Sequence, residues 1–238
     1  MSYKPPLIIA HRGDSSNALE NSLDAIHRAL SYPADMIELD IRKSRDNFLY
    51  VMHDRLIGRT ADRNIDIERA NSEEIAGLKL KNGEPVPTLS DAMNAVAGMA
   101  GLNLELKSSG SGLPTAELLV SSGYTGYVLV SSFKEQEIQA VRRVMPQLPT
   151  SLIFDVFAVR DVPWYSRKGH SIISLRKGTV NEKLVEACHE HGIRVYVWTV
   201  DEEAEMRKLF AWGVDGIYTN RPGALKELLI KFQNSSAK

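Results

Sequence analysis

The most constraining feature of this sequence is a regular alternation between short runs rich in β-branched residues and longer amphipathic segments. Eight of the short runs have the length and composition of strands: residues 7–11, 36–41, 102–107, 127–132, 150–154, 171–175, 194–200 and 216–219. Apolar residues at helical spacing follow most of these runs, as at Leu23, Ile26, Ala29 and Leu30. Eight such repeats favour a parallel sheet closed into a (β/α)8 barrel, a fold that takes about 250 residues.

The chain has 238 residues, of which 43% are hydrophobic, enough for one large core. An open, doubly wound α/β sheet is the competing architecture. It normally has fewer βα repeats, and its glycine-rich dinucleotide fingerprint is missing from this sequence. We therefore expect residues 1–238 to form a single α/β domain with the TIM-barrel fold.

A ninth strand-like run, residues 48–52, interrupts the alternation. Only a few residues separate it from run 36–41, whereas a parallel crossover needs a dozen or more, so the two runs are expected to form an antiparallel hairpin. A two-residue turn at Asp46-Asn47 would place His53 opposite Asp40. The charge-rich stretch that follows, residues 54–87, is interpreted as a small insertion after the second strand, lying over one face of the barrel.

Composition excludes several classes of protein. Lys and Arg number 29 and Asp and Glu 30, so the formal net charge of −1 argues against a nucleic-acid-binding surface. The single cysteine, Cys188, cannot form an intramolecular disulfide. The apolar run directly before His11 has only four residues, too few for a signal-peptide core, and no run approaches the roughly 20 apolar residues of a membrane span. We expect a cytoplasmic protein with no nucleic-acid partner and no stable membrane insertion.

Ionisable residues cluster at the ends of the first three strands and of the hairpin, where a barrel places its catalytic groups: His11, Arg12, Glu38, Asp40, His53, Glu105 and Lys107. A spacing of two puts Glu38 and Asp40 on one face of their strand. The strands of a parallel barrel are buried on both faces, so such charges are costly unless they are compensated.

The residue types point to one kind of chemistry. Three carboxylates without a neighbouring cysteine suit a hard divalent cation, Mg²⁺ or Ca²⁺. Arg12 and Lys107 provide positive charge for a phosphate group. His11 and His53 provide an acid/base pair that titrates near neutral pH. The set is typical of metal-assisted hydrolysis of a phosphoester.

Short motifs along nearly the whole chain carry a family resemblance: His11-Arg12-Gly13, Glu20-Asn21-Ser22, Glu38-Leu39-Asp40, His53-Asp54, Arg59-Thr60, Val86-Pro87-Thr88-Leu89, Asn103-Leu104-Glu105-Leu106-Lys107, Val130-Ser131-Ser132-Phe133, Val197-Trp198-Thr199-Val200 and Gly213-Val214-Asp215-Gly216-Ile217. In this order they resemble the glycerophosphodiester phosphodiesterase family, in its bacterial cytosolic type. Each motif alone is weak evidence, and the ordered series is strong.

The resemblance implies hydrolysis of glycerophosphodiesters to glycerol 3-phosphate and an alcohol, with one divalent cation, Mg²⁺ or Ca²⁺. It implies that His11 and His53 are the acid/base pair and that Glu38, Asp40 and Glu105 hold the metal. It also implies that Arg12, Lys107 and Trp198 contact the substrate. It also implies that residues 54–87 shape the substrate mouth. A route through a cyclic phosphate, formed by attack of a neighbouring substrate hydroxyl, belongs to the chemistry of the family.

Two departures from the family pattern lie near the expected mouth, and both bear on the head group of the substrate. Leu19 stands where the family has proline, and the loop at residues 14–17 is unusually polar. Two other functions stay open: a phospholipase-D-like activity on larger phospholipids, and non-catalytic binding of phosphodiesters. The insertion and the lack of an apolar docking segment argue against the first, and the intact histidine pair argues against the second.

Three further groups receive secondary interpretations. Asp54 is expected to orient the hairpin by a hydrogen bond, and Glu20 to support the site from outside the metal site. The run Cys188-His189-Glu190-His191 resembles a transition-metal cluster. On a helix, however, neighbouring residues lie about 100° apart, so the two histidines face different directions and Cys188 joins the core.

Overall fold

A computed structural model describes residues 5–32 and 34–236. Eight parallel strands form a closed barrel, because β1 pairs with both β9 and β2, and β3 pairs antiparallel with the end of β2. The strands are β1 Leu7–His11, β2 Met36–Lys43, β3 Leu49–Val51, β4 Gly101–Leu106, β5 Val128–Ser132, β6 Thr150–Phe154, β7 Ile172–Arg176, β8 Arg194–Trp198 and β9 Gly216–Thr219. The predicted (β/α)8 barrel is confirmed, and the open sheet is excluded.

Helices lie between the strands: α1 Leu23–Ser31, α2 Ser72–Ala76, α3 Leu89–Val96, α4 Gly112–Ser122, α5 Glu135–Val144, α6 Val162–Arg167, α7 Glu182–Glu190, α8 Glu203–Ala211 and α9 Pro222–Ser236. The side chains of Ser22 and Thr88 accept hydrogen bonds from the first turns of α1 and α3. Among the described residues, no helix is both long enough and apolar enough to cross a membrane.

The β2–β3 hairpin forms as predicted, but its register differs by one residue. The backbone N–H of Met52 donates to the carbonyl of Asp40, so Asp40 lies opposite Met52 rather than His53. The turn at residues 45–47 contains three residues instead of two, since Ser44 N–H donates to the carbonyl of Phe48. Asn47 closes the turn in the left-handed region, at φ 70°, which asparagine tolerates better than most residues.

Residues 54–87 follow the hairpin and contain a short 3-10 turn, Ile57–Arg59, and helix α2. Their apolar residues are dispersed in the sequence, yet they join two hairpin residues in one buried cluster: Tyr50, Met52, Ile57, Ala61, Ile67, Ala70, Ile75, Leu78, Leu80 and Val86. Leu19, from the loop after β1, packs against this cluster. The segment beside the mouth is thus held by a small hydrophobic core of its own.

On four of the barrel strands, the inward-facing side chains change in character towards the carboxyl end. Ile9, Met36, Leu129 and Tyr196 belong to an apolar cluster on the inner side of the strands. Two residues further along the same strands, the side chains become those of His11, Glu38, Ser131 and Trp198. Because side chains on a strand alternate with a period of two, these four later residues lie on the same inner face, one step closer to the carboxyl end of the barrel.

Candidate active site

A cavity of about 190 Å³ opens at the carboxyl end of the strands. Seven of the eight predicted site residues line it, and the full lining is His11, Arg12, Glu38, His53, Asn103, Glu105, Lys107, Ser131, Phe133, Ile153, Ser174, Trp198, Thr199 and Tyr218. The eighth, Asp40, lies buried in contact with Arg12 and Lys107. The structure therefore brings the predicted residues together at one mouth.

The three predicted metal ligands form an oxygen cluster. One carboxylate oxygen from each of Glu38, Asp40 and Glu105 lies within 4.8 Å of the others. Glu38 and Asp40 are fully buried, and among the described residues Oε1 of Glu38 and Oδ1 of Asp40 have no hydrogen-bond partner, although Nζ of Lys107 lies 3.4 Å from Oδ1 of Asp40. Buried carboxylate oxygens that accept no hydrogen bond are energetically expensive, so their presence fits residues that would hold a cation.

Two cationic side chains border the cluster. Nε of Arg12 lies 3.1 Å from Oδ2 of Asp40, and Nζ of Lys107 lies 2.7 Å from Oε1 of Glu105. The backbone N–H of Arg12 also donates to Oε2 of Glu38 at 2.9 Å. Three carboxylates against two cations leave the group with excess negative charge that a divalent cation would neutralise.

The turn that carries Arg12 requires glycine at the next position. Gly13 has a φ of 80°, and a Cβ atom there would lie 2.6 Å from the backbone carbonyl of Ala25. Any side chain would therefore be strained and would also clash with α1. The tight approach brings the Arg12 backbone over β2, which explains the Arg-Gly step after His11.

Burial and charge shift the carboxyl groups in different directions. Burial, reinforced by the charges of Asp40 and Glu105, raises the pKa of Glu38 well above its ordinary value. Burial and the charge of Asp40 also raise the pKa of Glu105. Burial would raise the pKa of Asp40 too, but the nearby Arg12 and Lys107 charges lower it below the ordinary value. Asp40 is therefore the carboxylate that stays ionised most readily.

Asn21 and Glu20 contact two charged residues of the site, Asp40 and Arg12 respectively. The Nδ2 group of Asn21 donates to Oδ2 of Asp40 at 2.9 Å, a contact that the motif Glu20-Asn21-Ser22 does not by itself reveal. Glu20 accepts from Nη1 of Arg12 at 2.8 Å and lies outside the carboxylate cluster, as expected.

The two histidines have different partners. Nδ1 of His11 lies 2.7 Å from the amide oxygen of Asn220, and burial followed by the charge of Arg12 lowers the pKa of His11. Nδ1 of His53 lies 2.6 Å from Oδ1 of Asp54, whose other oxygen accepts from Nε of Arg59 at 2.6 Å. Asp54 thus contacts His53 directly, rather than only bracing the hairpin.

An aromatic edge and a polar floor complete the cavity. The rings of Phe133 and Trp198 meet edge to face with centroids 5.8 Å apart. On the floor, Nδ2 of Asn103 donates to the hydroxyl of Tyr218 at 2.9 Å, and Ser174 lies 3.1 Å from the same hydroxyl. Asn103 stands two residues before Glu105 on the same strand face, and this spacing is the sequence signal that could have revealed it.

The run at residues 188–191 does not assemble into a metal site within the part of the chain that the structure describes. Cys188 is buried in the core, and burial raises the pKa of its thiol to about 12. Nε2 of His189 lies 2.8 Å from Asp215, while Nδ1 of His191 lies 2.9 Å from the carbonyl of Ala187. The histidines therefore face different partners, as the helical geometry predicts.

Comparisons with known proteins identify the relatives of this chain. Residues 11–224 match the glycerophosphoryl diester phosphodiesterase family. A glycerophosphodiester phosphodiesterase from Caldanaerobacter subterraneus subsp. tengcongensis is 33% identical over 240 residues, covering 94% of this chain and 98% of that protein.

Solved structures show the same similarity. The crystal structure of a glycerophosphodiester phosphodiesterase from Agrobacterium tumefaciens str. C58 has a TM-score of 0.82 and 28% identity, covering 93% of this chain and 99% of that one. A phosphodiesterase from Oleispira antarctica shares the fold, with a TM-score of 0.87, 22% identity and coverage of 95% and 97%.

Fold, site and relatives place the chain among the barrel enzymes that hydrolyse phosphoric diesters. With a match over residues 11–224 and a relative of 33% identity over nearly its whole length, the chain belongs to the glycerophosphoryl diester phosphodiesterase family.

Proposed function

We propose that this protein hydrolyses glycerophosphodiesters to glycerol 3-phosphate and an alcohol, using one divalent cation and a pair of histidines. The observation that carries the proposal is the single cavity in which His11 and His53 lie beside the three-carboxylate cluster. The relatives support the substrate class: the Caldanaerobacter protein is a glycerophosphodiester phosphodiesterase, and the Oleispira phosphodiesterase was solved in complex with the product sn-glycerol-3-phosphate.

Glu38, Asp40 and Glu105 are the residues that would hold the cation. Their all-oxygen donor set suits Mg²⁺ or Ca²⁺ rather than a softer metal, and two of their oxygens accept no hydrogen bond from the described residues. Such an ion, when bound, supplies stabilisation of negative charge on phosphoryl oxygens.

Arg12 and Lys107 are proposed to contact the phosphate. Both side chains line the cavity, and each is held in place by a carboxylate, Asp40 for Arg12 and Glu105 for Lys107. A cationic side chain that is already fixed in position loses little conformational freedom when it binds an anion. Arg12 and Lys107 are therefore preorganised to bind the phosphodiester.

The partners of the histidines suggest how the acid and base roles divide. His11 contacts a neutral amide, and burial favours its uncharged form, which suits a general base. Nδ1 of His53 contacts the carboxylate of Asp54, which orients the ring in the cavity, and we assign His53 the role of general acid. His11 would take the proton from the attacking hydroxyl, and His53 would give one to the leaving alkoxide.

Trp198 and Phe133 are proposed to contact the alcohol part of the substrate, because they form the apolar edge of an otherwise charged cavity. We further propose that residues 1–238 act as one domain, in which the insertion at residues 54–87 shapes the mouth. A cytoplasmic location is proposed on the ground that Cys188 is a free, buried thiol.

A coupled assay of glycerol 3-phosphate release from glycerophosphocholine and glycerophosphoethanolamine tests the function. We expect release that stops after treatment with a chelator and returns with Mg²⁺ or Ca²⁺. The His11→Ala and His53→Ala variants should each lose at least about 100-fold in kcat. Undiminished activity in these variants would contradict the acid/base assignment, and chelator resistance after exhaustive dialysis would contradict the metal site.

A further inference from the structure

Three loops at the mouth of the barrel meet at Asn220, the residue that follows β9. Its amide oxygen lies 2.7 Å from Nδ1 of His11 and accepts from the hydroxyl of Ser15 at 2.8 Å. Its Nδ2 group donates to Oδ2 of Asp201 at 2.7 Å. His11, Asn220 and Asp201 therefore form a linear chain of hydrogen bonds that leads away from the cavity.

Asp201 determines which way the Asn220 amide points. An ionised carboxylate only accepts hydrogen bonds, so the group that faces Oδ2 of Asp201 must be the donor, Nδ2. The other oxygen of Asp201 accepts from the backbone N–H of Asn220 at 2.8 Å and from the hydroxyl of Thr219 at 2.9 Å. With Asp201 held by three donors, the amide oxygen of Asn220 is left to face His11.

This orientation has a consequence for the imidazole. Facing an acceptor, Nδ1 of His11 must carry the hydrogen, and the neutral ring then has its lone pair on Nε2. Nε2 is also the atom on the side of the carboxylate cluster, 4.0 Å from Oε2 of Glu38. The lone pair is thus available on the nitrogen that faces the cavity.

We propose that Asp201 and Asn220 are positioning residues that hold His11 in the Nδ1–H tautomer, with Nε2 ready to accept a proton. The proposal rests on the proposed function in one respect: it is His11 that acts as the base. The neutral amide of Asn220 lies next to the His11 ring, and the carboxylate of Asp201 lies beyond that amide. The second histidine differs, because Asp54 contacts His53 directly.

Asp201→Asn is the decisive variant, since it keeps the size of the side chain and adds a donor. The oxygen of the introduced amide would still accept from Thr219 and from the backbone of Asn220, so the introduced NH₂ group would face Nδ2 of Asn220. Two donors repel, and the Asn220 amide is expected to turn over and present its NH₂ group to Nδ1 of His11. The ring would then adopt the Nε2–H tautomer and lose the lone pair that the base requires.

The tautomer is measured by ¹⁵N NMR on protein labelled at histidine, with His11→Ala used to assign the resonance. In the wild type, Nδ1 should show the shift of a protonated nitrogen and Nε2 that of an unprotonated one. Asp201→Asn should exchange the two shifts and lower kcat at least about 100-fold, with KM changed less than about 3-fold.

The double variant Asp201→Asn/Asn220→Asp tests the order of donors and acceptors. In this variant the introduced amide donates to the introduced carboxylate, which accepts from Nδ1 of His11, so the original pattern is restored. We expect the wild-type tautomer and a recovery of at least about 10-fold in kcat over the single variant. A purely structural role for Asp201 predicts no such recovery.

Asp215→Asn is the matched control, because Asp215 contacts another histidine, His189, outside the cavity. It should leave the His11 resonances and kcat unchanged. An Nε2–H tautomer in the wild type, or an Asp201→Asn variant with unaltered resonances and kcat, would overturn the proposal. Since the NMR experiment does not depend on turnover, a wild type that keeps the Nδ1–H tautomer but hydrolyses no glycerophosphodiester contradicts the proposed function alone.

Discussion

Arg59 binds Glu20 through two guanidinium nitrogens, with Nη1 2.8 Å from Oε2 and Nη2 2.6 Å from Oε1. Glu20 lies in the loop after β1, whereas Arg59 belongs to the insertion and also donates to Asp54. The contact therefore joins the loop that follows His11 to the segment that follows His53.

Replacing Arg59 with lysine should lower kcat/KM about 10-fold, because lysine cannot contact Glu20 with two parallel donors and also orient Asp54. Steady-state kinetics checks this. Arg55→Lys is the control: Arg55 contacts Asp66 in the same insertion through two nitrogens, at 3.0 and 2.7 Å, and neither residue lines the cavity. Equal losses in both variants would show that the effect is one of insertion stability alone.

The Glu38→Gln variant should stabilise the cation-free protein by about 1–2 kcal/mol. It removes a buried carboxylate whose Oε1 atom has no hydrogen-bond partner among the described residues. Thermal unfolding should also show that Mg²⁺ raises the Tm of the wild type and not that of the variant. Glu137→Gln provides the control, since both oxygens of Glu137 accept backbone N–H groups. That variant should lose stability and keep its response to Mg²⁺.

Removing the aromatic ring at Phe133 should raise KM by about 10-fold and change kcat less, since the ring is proposed to bind the alcohol and not the reacting phosphate. Steady-state kinetics of the Phe133→Ala variant, with glycerophosphocholine and with glycerophosphoethanolamine, measures KM and kcat. Phe48→Ala removes another half-exposed ring outside the cavity lining and should leave both constants unchanged. A fall in kcat with constant KM would place Phe133 nearer the chemistry.

His170 gives the fold a pH dependence that is independent of the site. Burial, followed by the charge of Arg142, lowers its pKa from 6.5 to about 4, and its ring stacks on Tyr165. Because the unfolded chain takes up the proton first, the contribution of His170 to stability is complete above pH 6.5 and falls as the pH drops towards 4.

Replacing His170 with glutamine removes this titration. Between pH 6.5 and 4 the unfolding free energy of the wild type should fall more steeply than that of His170→Gln, by up to about 1.4 kcal/mol per pH unit. Urea unfolding at a series of pH values measures both curves. His27→Gln, at an exposed position on α1, should follow the wild type. Parallel curves for His170→Gln and the wild type would contradict the buried-histidine argument.

The fold was predictable because its signal is local and repeated. Each strand is a short apolar run, and each one is followed by helical spacing, so the number and order of repeats determine the barrel. The carboxylate cluster was predictable for a related reason: Glu38, Asp40 and Glu105 stand at strand ends, and parallel strands bring their ends together. A sequence of separate strands was therefore enough to place these three side chains at one mouth.

The hairpin register and the contacts of Asp201, Asn220 and Arg59 depend on the geometry of loops, which local sequence patterns do not determine. The hairpin register differs by one residue because Asn47 adopts a left-handed conformation and lengthens the turn. Asp201 and Asn220 follow strands eight and nine, but nothing in the sequence shows that the two loops meet. Arg59 stood within a recognised motif, yet its role depends on contacts with Glu20, 39 residues away.

The separate hydrophobic core of the insertion implies two levels of unfolding for this enzyme. Residues 54–87 can open as a unit while the barrel stays closed, because their buried cluster is distinct from the main one. Such a partly open molecule would lose His53 and Asp54 from the mouth and keep His11 with the three carboxylates. With its carboxylates intact and His53 displaced, such a molecule is expected to keep the proposed cation site and lose the proposed acid, so heat or denaturant should inactivate the protein before it unfolds the barrel.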